Sequence, residues 1–436
     1  LEAARHKPFG LKSGIGLVIA NMVGAGVFLS SGYMAQDLSP GPLLLAWVVG
    51  AVLALCGARA YAEVARLVLK SGGEYRYLSE LLHPALGYLA GWASLLVGFS
   101  APIAMDALAA GAFLKKVVPA VNPTVFAVGL VLALTVVHAI GLRSSARLQN
   151  GLVVIKVALL LGFLAVGLFF GSVAWPSWTP PSAPEGGATG PFMNSLFYIA
   201  LAFSGWNAAI YASEEFERPE RDVPRAMIIG CAAVAVLYLA FNYIFIANLT
   251  PTEALGVRFY DSEQVTLGYL VVKRLLGDGP AQAMSAVLCL LFVSATSAMV
   301  LVGPRVYAAM ARDGFLPKIL EGVPGAPPKG SLVMQGVIAL VLIFTQQLKD
   351  LLWNVGAILT LFAALTTLGL FRVWLKPRAH EAQPAKVSLV AAGIYAASAG
   401  LMFYFGFRDK LGLLAWVGMV ALCGFGAYAL TRRLRR

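Results

Sequence analysis

The sequence predicts an all-α integral membrane protein of twelve transmembrane helices, in which helices one and six are discontinuous near the middle of the bilayer. Three observations carry this. The chain is 59% hydrophobic and only 12% charged, far from the roughly half-apolar, quarter-charged balance of soluble domains. Apolar stretches of about 20 residues, enough to cross a hydrocarbon core of about 30 Å, follow one another with short connections. The first and sixth of them carry small residues at their centres, in NMVGAGVF (21–28) and LAFSGWNAAIYASEE (201–215).

Hydropathy places the spans at 13–36, 42–68, 86–114, 123–141, 150–171, 191–217, 225–248, 281–311, 331–347, 351–375, 387–407 and 411–430. Backbone groups in hydrocarbon must be satisfied internally, so even the Val- and Ile-rich runs should be helices. The first follows Arg5, His6, Lys7 and Lys12 and is too long for the apolar region of a signal peptide, so it reads as a retained span. In the second, Arg59 and Glu63 can pair across one turn; in the third, Gly87 and Gly91 suit close helix packing. The Pro/Gly-rich stretch 172–190 is a surface loop. In EEFERPERDVPR (214–225), Pro219 and Pro224 should end and start helices. Segment 250–280 should form short helices over the outer mouth. The chain reads as one domain, 1–436, with a first five-helix repeat at 13–171, a second at 191–375, and helices eleven and twelve at 387–430.

A net charge of +12 could suggest nucleic acid, but the basic residues lie in short runs between spans. With the N-terminus inside, 23 Lys and Arg fall on the inner side and 8 on the outer, which places both termini in the cytoplasm. Cys56, Cys231, Cys289 and Cys423 lie in apolar stretches, and neither they nor the four histidines have metal-type spacing. No disulfide, metal, cofactor or nucleic-acid partner is expected; the lipid bilayer is.

Gly24 lies ~17 Å along the first span from its inner start, and Gly205 ~21 Å along the sixth from its outer start, so both fall near the midplane. Spans one and six correspond in two five-helix halves. Because five is odd, the second half is inverted. Paired breaks at corresponding positions point to an inverted-repeat transporter with its site at the discontinuous helices. Breaking a helix frees amides at one half-helix and carbonyls at the other, a set that fits a zwitterion. A carboxylate would sit on the amides of Ala25, Gly26 and Val27, and an ammonium would face carbonyls near Met22 and Ser204.

The stretches NMVGAGVF, YAEVARLVLKSGGEYRYLSE (61–80), SGWNAAIYASEEFERPERDVPRA (204–226) and RVYAAMARDGFLP (305–317) resemble the signatures of the amino acid–polyamine–organocation superfamily. The resemblance implies a LeuT-type fold with a 5+5 inverted repeat. Gly205-Trp206-Asn207 followed by Glu214 and Glu215 is similar to the L-type neutral amino acid transporters and their bacterial relatives, which implies a bacterial inner membrane. It also implies that Gly24, Ala25 and Gly26, with the sixth-helix break, hold the α-amino and α-carboxylate groups. Ala25 stands where many relatives have Ser or Gly, and Leu201 where many have a gating aromatic; Phe203 and Trp206 are the nearest substitutes.

Lys156 lies ~13 Å into the membrane, a long reach for a snorkelling side chain, and reads as functional. By resemblance, a lysine here marks members that do not use sodium; its expected neighbours are the Gly24 region and Ser294, Thr296 and Ser297. Asp106, ~30 Å along helix three, is expected in the outer vestibule.

The sequence thus predicts a sodium-independent secondary transporter of small neutral L-amino acids, working by alternating access as a proton symporter or an exchanger, with any accessory subunit left open. A cationic amino acid or polyamine carrier ranks second, because no acid is visible near the midplane. A membrane enzyme should show H-E-x-x-H or G-x-S-x-G, which the chain lacks, and a receptor has no need of paired breaks.

Overall fold

A computed structural model describes residues 9–68, 70–180, 189–257, 265–323, 325–345, 351–378 and 382–409, and beyond these 418, 421–422, 424–429, 431 and 433. The helices are α1 (Leu11–Met22), α2 (Ala25–Met34), α3 (Pro40–Leu67), α4 (Gly73–Leu81), α5 (Pro84–Ala93), α6 (Ala101–Val117), α7 (Pro123–Ile140), α8 (Leu142–Phe170) and α9 (Thr189–Phe203). They continue as α10 (Ala208–Tyr211), α11 (Pro219–Asn248), α12 (Pro251–Ala254), α13 (Leu267–Leu276), α14 (Asp278–Val302), α15 (Pro304–Arg312), α16 (Lys329–Thr345), α17 (Leu351–Leu375) and α18 (Lys386–Asp409). A π-helical stretch, Ser94–Ser100, joins α5 to α6.

Among the described residues, 9 helical spans are long and apolar enough to cross a membrane. Of the other expected spans, the sixth is split into α9 and α10, the ninth is the shorter apolar helix Lys329–Phe344, and the twelfth lies largely outside the described residues. The chain is a multi-pass membrane protein.

Local chemistry sets several helix starts. Pro84, Pro123 and Pro219 occupy first-turn positions, where a missing N–H costs nothing, and the Asn122 side chain accepts the amides of Thr124 and Val125 at 3.0 and 3.1 Å. Two boundaries differ from hydropathy. Helix α8 begins at Leu142, about two turns before the expected 150, because its polar first turns bury Ser145 and Gln149 in hydrogen bonds. Helix α11 begins at Pro219 and runs through Pro224, so the second proline does not start the helix as expected. Segment 250–280 does hold short helices, α12 and α13, with a Thr250–Glu253 capping box.

Burial separates the centre of the bundle from its rim. In the most apolar windows, 78% of residues are buried in Leu11–Met34 and 72% in both Pro84–Val117 and Asp278–Arg312, against 28% in Pro123–Ile140 and in Leu142–Phe170. The outward faces of α7 and α8 carry Val125, Leu132, Val136, Val154, Leu161 and Leu168, an apolar surface suited to lipid. Helix α1 packs against α8, α11 and α14 in the interior.

At the end where α1 begins, the bundle is closed by polar ties. Phe9 forms a parallel bridge to Phe216, with the Glu217 amide donating to the Phe9 carbonyl at 3.0 Å. Arg305 clasps Glu215 through Nε at 2.8 Å and Nη2 at 3.0 Å, a two-point contact stronger than a single ion pair. Arg59 does reach Glu63, at 3.7 Å, but Glu63 is held more closely by Arg66 and by Ser388 Oγ at 3.0 Å, which ties α3 to α18.

Candidate functional site

The two interruptions meet. Helix α1 ends at Met22, Val23 and Gly24 are extended, and α2 begins at Ala25. Helix α9 ends at Phe203, and the chain turns through Ser204–Asn207 before α10. Gly205 has φ +106°, and a Cβ there would come 2.7 Å from the Asn21 side-chain Nδ2 and 3.0 Å from the Asn21 backbone carbonyl. Only glycine lets one break lie so closely on the other.

A cavity of about 160 Å³ opens at this junction. Its wall includes Met22, Gly24, Ala25 and Gly26 from the first break, and Leu201, Phe203, Ser204, Gly205, Trp206 and Asn207 from the second. Val27 is fully buried and lies off the wall.

The start of α2 has no side-chain cap, and the amides of Ala25 and Gly26 have no backbone partner among the described residues. They stand at the positive end of α2. Gly26 has a further role the sequence did not reveal: a Cβ on it would lie 2.6 Å from the Ala202 Cα, so it is also the contact between α2 and α9.

The freed carbonyls are distributed differently from expectation. The Met22 carbonyl accepts the Tyr238 hydroxyl at 2.7 Å and the Gly24 amide at 3.0 Å, so both lone pairs are used and it does not wait for an ammonium. Lys156 donates to the carbonyls of Ala20 at 3.0 Å and Val23 at 2.7 Å, fully buried behind the break. Asn21 Oδ1 is buried with no hydrogen-bond partner among the described residues, and Asn21 is on the cavity wall. It is an unused acceptor near the Ser204 turn.

The lysine reaches the first break as expected, but the hydroxyl cluster turns elsewhere. Ser297 Oγ bonds Gln149 Oε1 at 2.8 Å and His138 Nε2 at 3.0 Å, and Thr296 bonds its own helix at Phe292. Ser294 Oγ is buried without a partner among the described residues. Helix α14 thus lies beside α1 and α8, and of these three hydroxyls only that of Ser297 reaches α7 and α8; none bonds the ammonium.

Two carboxylates line the cavity, which overturns the expectation of none near the midplane. Glu74, from α4, is held by three donors: it accepts from the hydroxyls of Tyr61 at 3.1 Å and Tyr211 at 2.6 Å, and from the Asn207 side chain. Asp106 is not in an outer vestibule. It is 4% exposed, and its Oδ2 lies 3.8 Å from where a Cβ on Gly24 would stand. The reason is helix length. Pro84–Val117 runs for 34 residues, about 51 Å, well beyond a hydrocarbon core of about 30 Å, so distance along it overstates depth.

The aromatic residues at the second break, Phe203 and Trp206, are fixed in packing. Phe203 sits between Trp47 and Tyr238, with ring centroids 6.1 and 5.0 Å away. Trp206 packs against Tyr61, tilted, at 6.0 Å and edge-on against Tyr395 at 5.4 Å, over Gly57, where even a methyl would overlap the indole. Leu201 packs beside Gly356. Trp206→Ala should therefore enlarge the cavity beside α18 and shift substrate ranking toward larger side chains. Competition by amino acids of graded size measures it; an equal loss for every substrate would make Trp206 purely structural.

Among the described residues, no group of His, Cys, Asp and Glu could hold a metal ion, and Cys56, Cys231 and Cys289 are free thiols; Cys423 lies outside the described residues.

With this geometry, comparison with known proteins is decisive. The family model described as amino acid permease matches residues 9–427. The chain belongs to the amino acid permease family. This agrees with the superfamily resemblance carried by its motifs, and places it among permeases rather than enzymes. The permease is 30% identical to the b(0,+)-type amino acid transporter 1 of Rattus norvegicus over 84% of this chain and 75% of that protein. It is 28% identical to the large neutral amino acids transporter small subunit 2 of Mus musculus, over 90% and 75% of the two chains. To the Asc-type amino acid transporter 1 of Mus musculus it is 27% identical over 97% and 80%.

Proposed function

We propose that this permease is a sodium-independent secondary transporter of small neutral L-amino acids, working by alternating access as a proton symporter or an exchanger. The observation that carries the reading is the pair of apposed breaks: uncapped amides at the start of α2, and Asn21 Oδ1 with the Ser204 region opposite, on one cavity wall. The amides take the carboxylate and the acceptors the ammonium. Mostly apolar walls, including Leu53, Phe99 and Met402, suit an uncharged side chain. The names of the relatives support amino acids as the class.

A cationic amino acid or polyamine carrier is the second reading, and Asp106 favours it, since the cavity does hold an acid without a hydrogen-bond partner among the described residues. The twelve-span, 5+5 inverted LeuT-type arrangement is part of the proposal, supported by the matched breaks. The bias of basic residues supports cytoplasmic termini. The motif resemblance supports a bacterial inner membrane; the three relatives named above are mammalian. One relative is named a small subunit, so a partner chain belongs among the things to look for.

The test is a thermal-stability screen of the purified permease. A ligand at a hundred times its Kd should stabilise the folded state by about 2.7 kcal/mol. Small neutral L-amino acids should do so, and their carboxamides, which lack the carboxylate, should not. Equal stabilisation by acid and amide would sink the proposed carboxylate site, and preferential stabilisation by lysine or arginine would move the choice to the second reading.

A further inference from the structure

We propose that Asp106 is a proton-binding site coupled to the substrate: its carboxylate takes up a proton from the outer solution as an amino acid docks on α2, and returns it to water on the other side when the amino acid leaves. The proposal rests on the reading of the α2 amides as the substrate carboxylate site.

Asp106 is nine-tenths buried, lies on the cavity wall, and has no hydrogen-bond or salt-bridge partner among the described residues. Its position next to Gly24 puts it beside the first amides of α2, where the substrate carboxylate is expected. Besides the positive end of α2, the carboxylate is compensated by Lys156, which acts on it electrostatically from behind the break. That ammonium is already committed to the carbonyls of Ala20 and Val23. A second carboxylate arriving on the same helix end leaves two like charges around one cation. Two carboxylates sharing a site bind a proton between them more tightly than either alone. The substrate ammonium relieves this little if it turns toward Asn21 Oδ1 and the Ser204 region.

The surroundings offer few other titrating groups. Helix α7 brings His138, α14 brings Asp278 and Cys289, α16 brings Lys329, and α6 itself ends in Lys115 and Lys116; the π-helical stretch brings none. Across the cavity stand Glu74, Tyr211 and Tyr395. His138 is turned to Ser297, and Glu74 is engaged by Tyr61, Tyr211 and Asn207.

The experiment is calorimetric binding of a neutral amino acid to the purified full chain, in two buffers of different ionisation enthalpy and across a pH series. Wild-type binding should take up about one proton, and the Kd should weaken about tenfold per pH unit once Asp106 is ionised in the free protein. Asp106→Asn should lower proton uptake below a tenth of that value and flatten the pH dependence. In proteoliposomes, its ratio of uptake driven by an acid exterior to uptake driven by internal amino acid should fall at least tenfold, with Asp106→Glu restoring it. Wild-type binding without proton uptake, alongside intact exchange, would overturn the Asp106 proposal and leave the transporter reading standing. Loss of binding by Asp106→Asn at every pH, with Asp106→Glu rescuing it, would make Asp106 a direct ligand of the ammonium and overturn the proposal too. If the wild type binds no amino acid, the transporter reading fails and takes this one with it. If Asp106→Asn does not fold, the wild-type calorimetry decides.

Discussion

Replacing Lys156 by Met should reduce initial amino acid uptake at least tenfold and lower the thermal stability of the purified protein. Methionine keeps most of the volume and removes the ammonium, so two buried carbonyls, those of Ala20 and Val23, lose their donor. An unsatisfied buried polar group costs about 1–3 kcal/mol, which for two carbonyls is on the order of 2–6 kcal/mol. Asp106 also loses the positive charge that compensates it. The ammonium has a second effect. A sodium ion ~4 Å from it would be repelled by about 4 kcal/mol at an effective dielectric of about 20, enough to oppose occupancy roughly a thousandfold. Lys156→Met should therefore not gain efficient sodium-driven transport merely by losing the repulsion, since the carbonyls that would hold the ion are left without a fixed frame. Radiolabel uptake normalised to reconstituted protein, together with a melting curve, measures both effects; a variant as stable and as fast as wild type would remove Lys156 from the mechanism.

Gly205→Ala should be as damaging, for a steric reason. At φ +106° a side chain is strained by about 1–2 kcal/mol, and the new methyl would lie 2.7 Å from the Asn21 side chain and 3.0 Å from its carbonyl. Relief requires the two breaks to separate, and overpacking of this kind costs about 1–3 kcal/mol. Uptake should fall to background while the protein still reaches the membrane. Gly24→Ala is the control. Gly24 has φ −129°, and its added methyl meets nothing closer than Asp106 Oδ2 at 3.8 Å, so the fold should keep its melting temperature within a few degrees. If Gly205→Ala melts and transports like Gly24→Ala, the close contact between the breaks does not matter to function.

How much of this was legible in the sequence depends on what kind of signal each residue carries. The breaks were readable because glycines at mid-membrane depth contradict the cheapest backbone for hydrocarbon, and the structure ends α1 at Met22 and α9 at Phe203, beside the glycines. Lys156 was readable because a charge in an apolar helix needs partners, and it finds them at Ala20 and Val23. Asp106 is misplaced because distance along a 34-residue helical run overstates depth. Glu74 was hidden because its polar segment lies between spans in sequence, yet folds as α4 against the sixth-helix break. The Met22 carbonyl was assigned to the substrate because nothing local announces Tyr238, which reaches it from 216 residues away. Backbone interruptions and stranded charges are local signals; hydrogen bonds that close over such separations are not.

The most direct test of the central claim is initial uptake of a labelled neutral amino acid into proteoliposomes, with external sodium, the pH gradient and internal amino acid varied one at a time. Uptake should be unchanged when sodium is replaced by choline, and should rise with an acid exterior, with preloaded amino acid, or with both. Uptake that vanishes without sodium, or no uptake of any amino acid by correctly inserted protein, would contradict it.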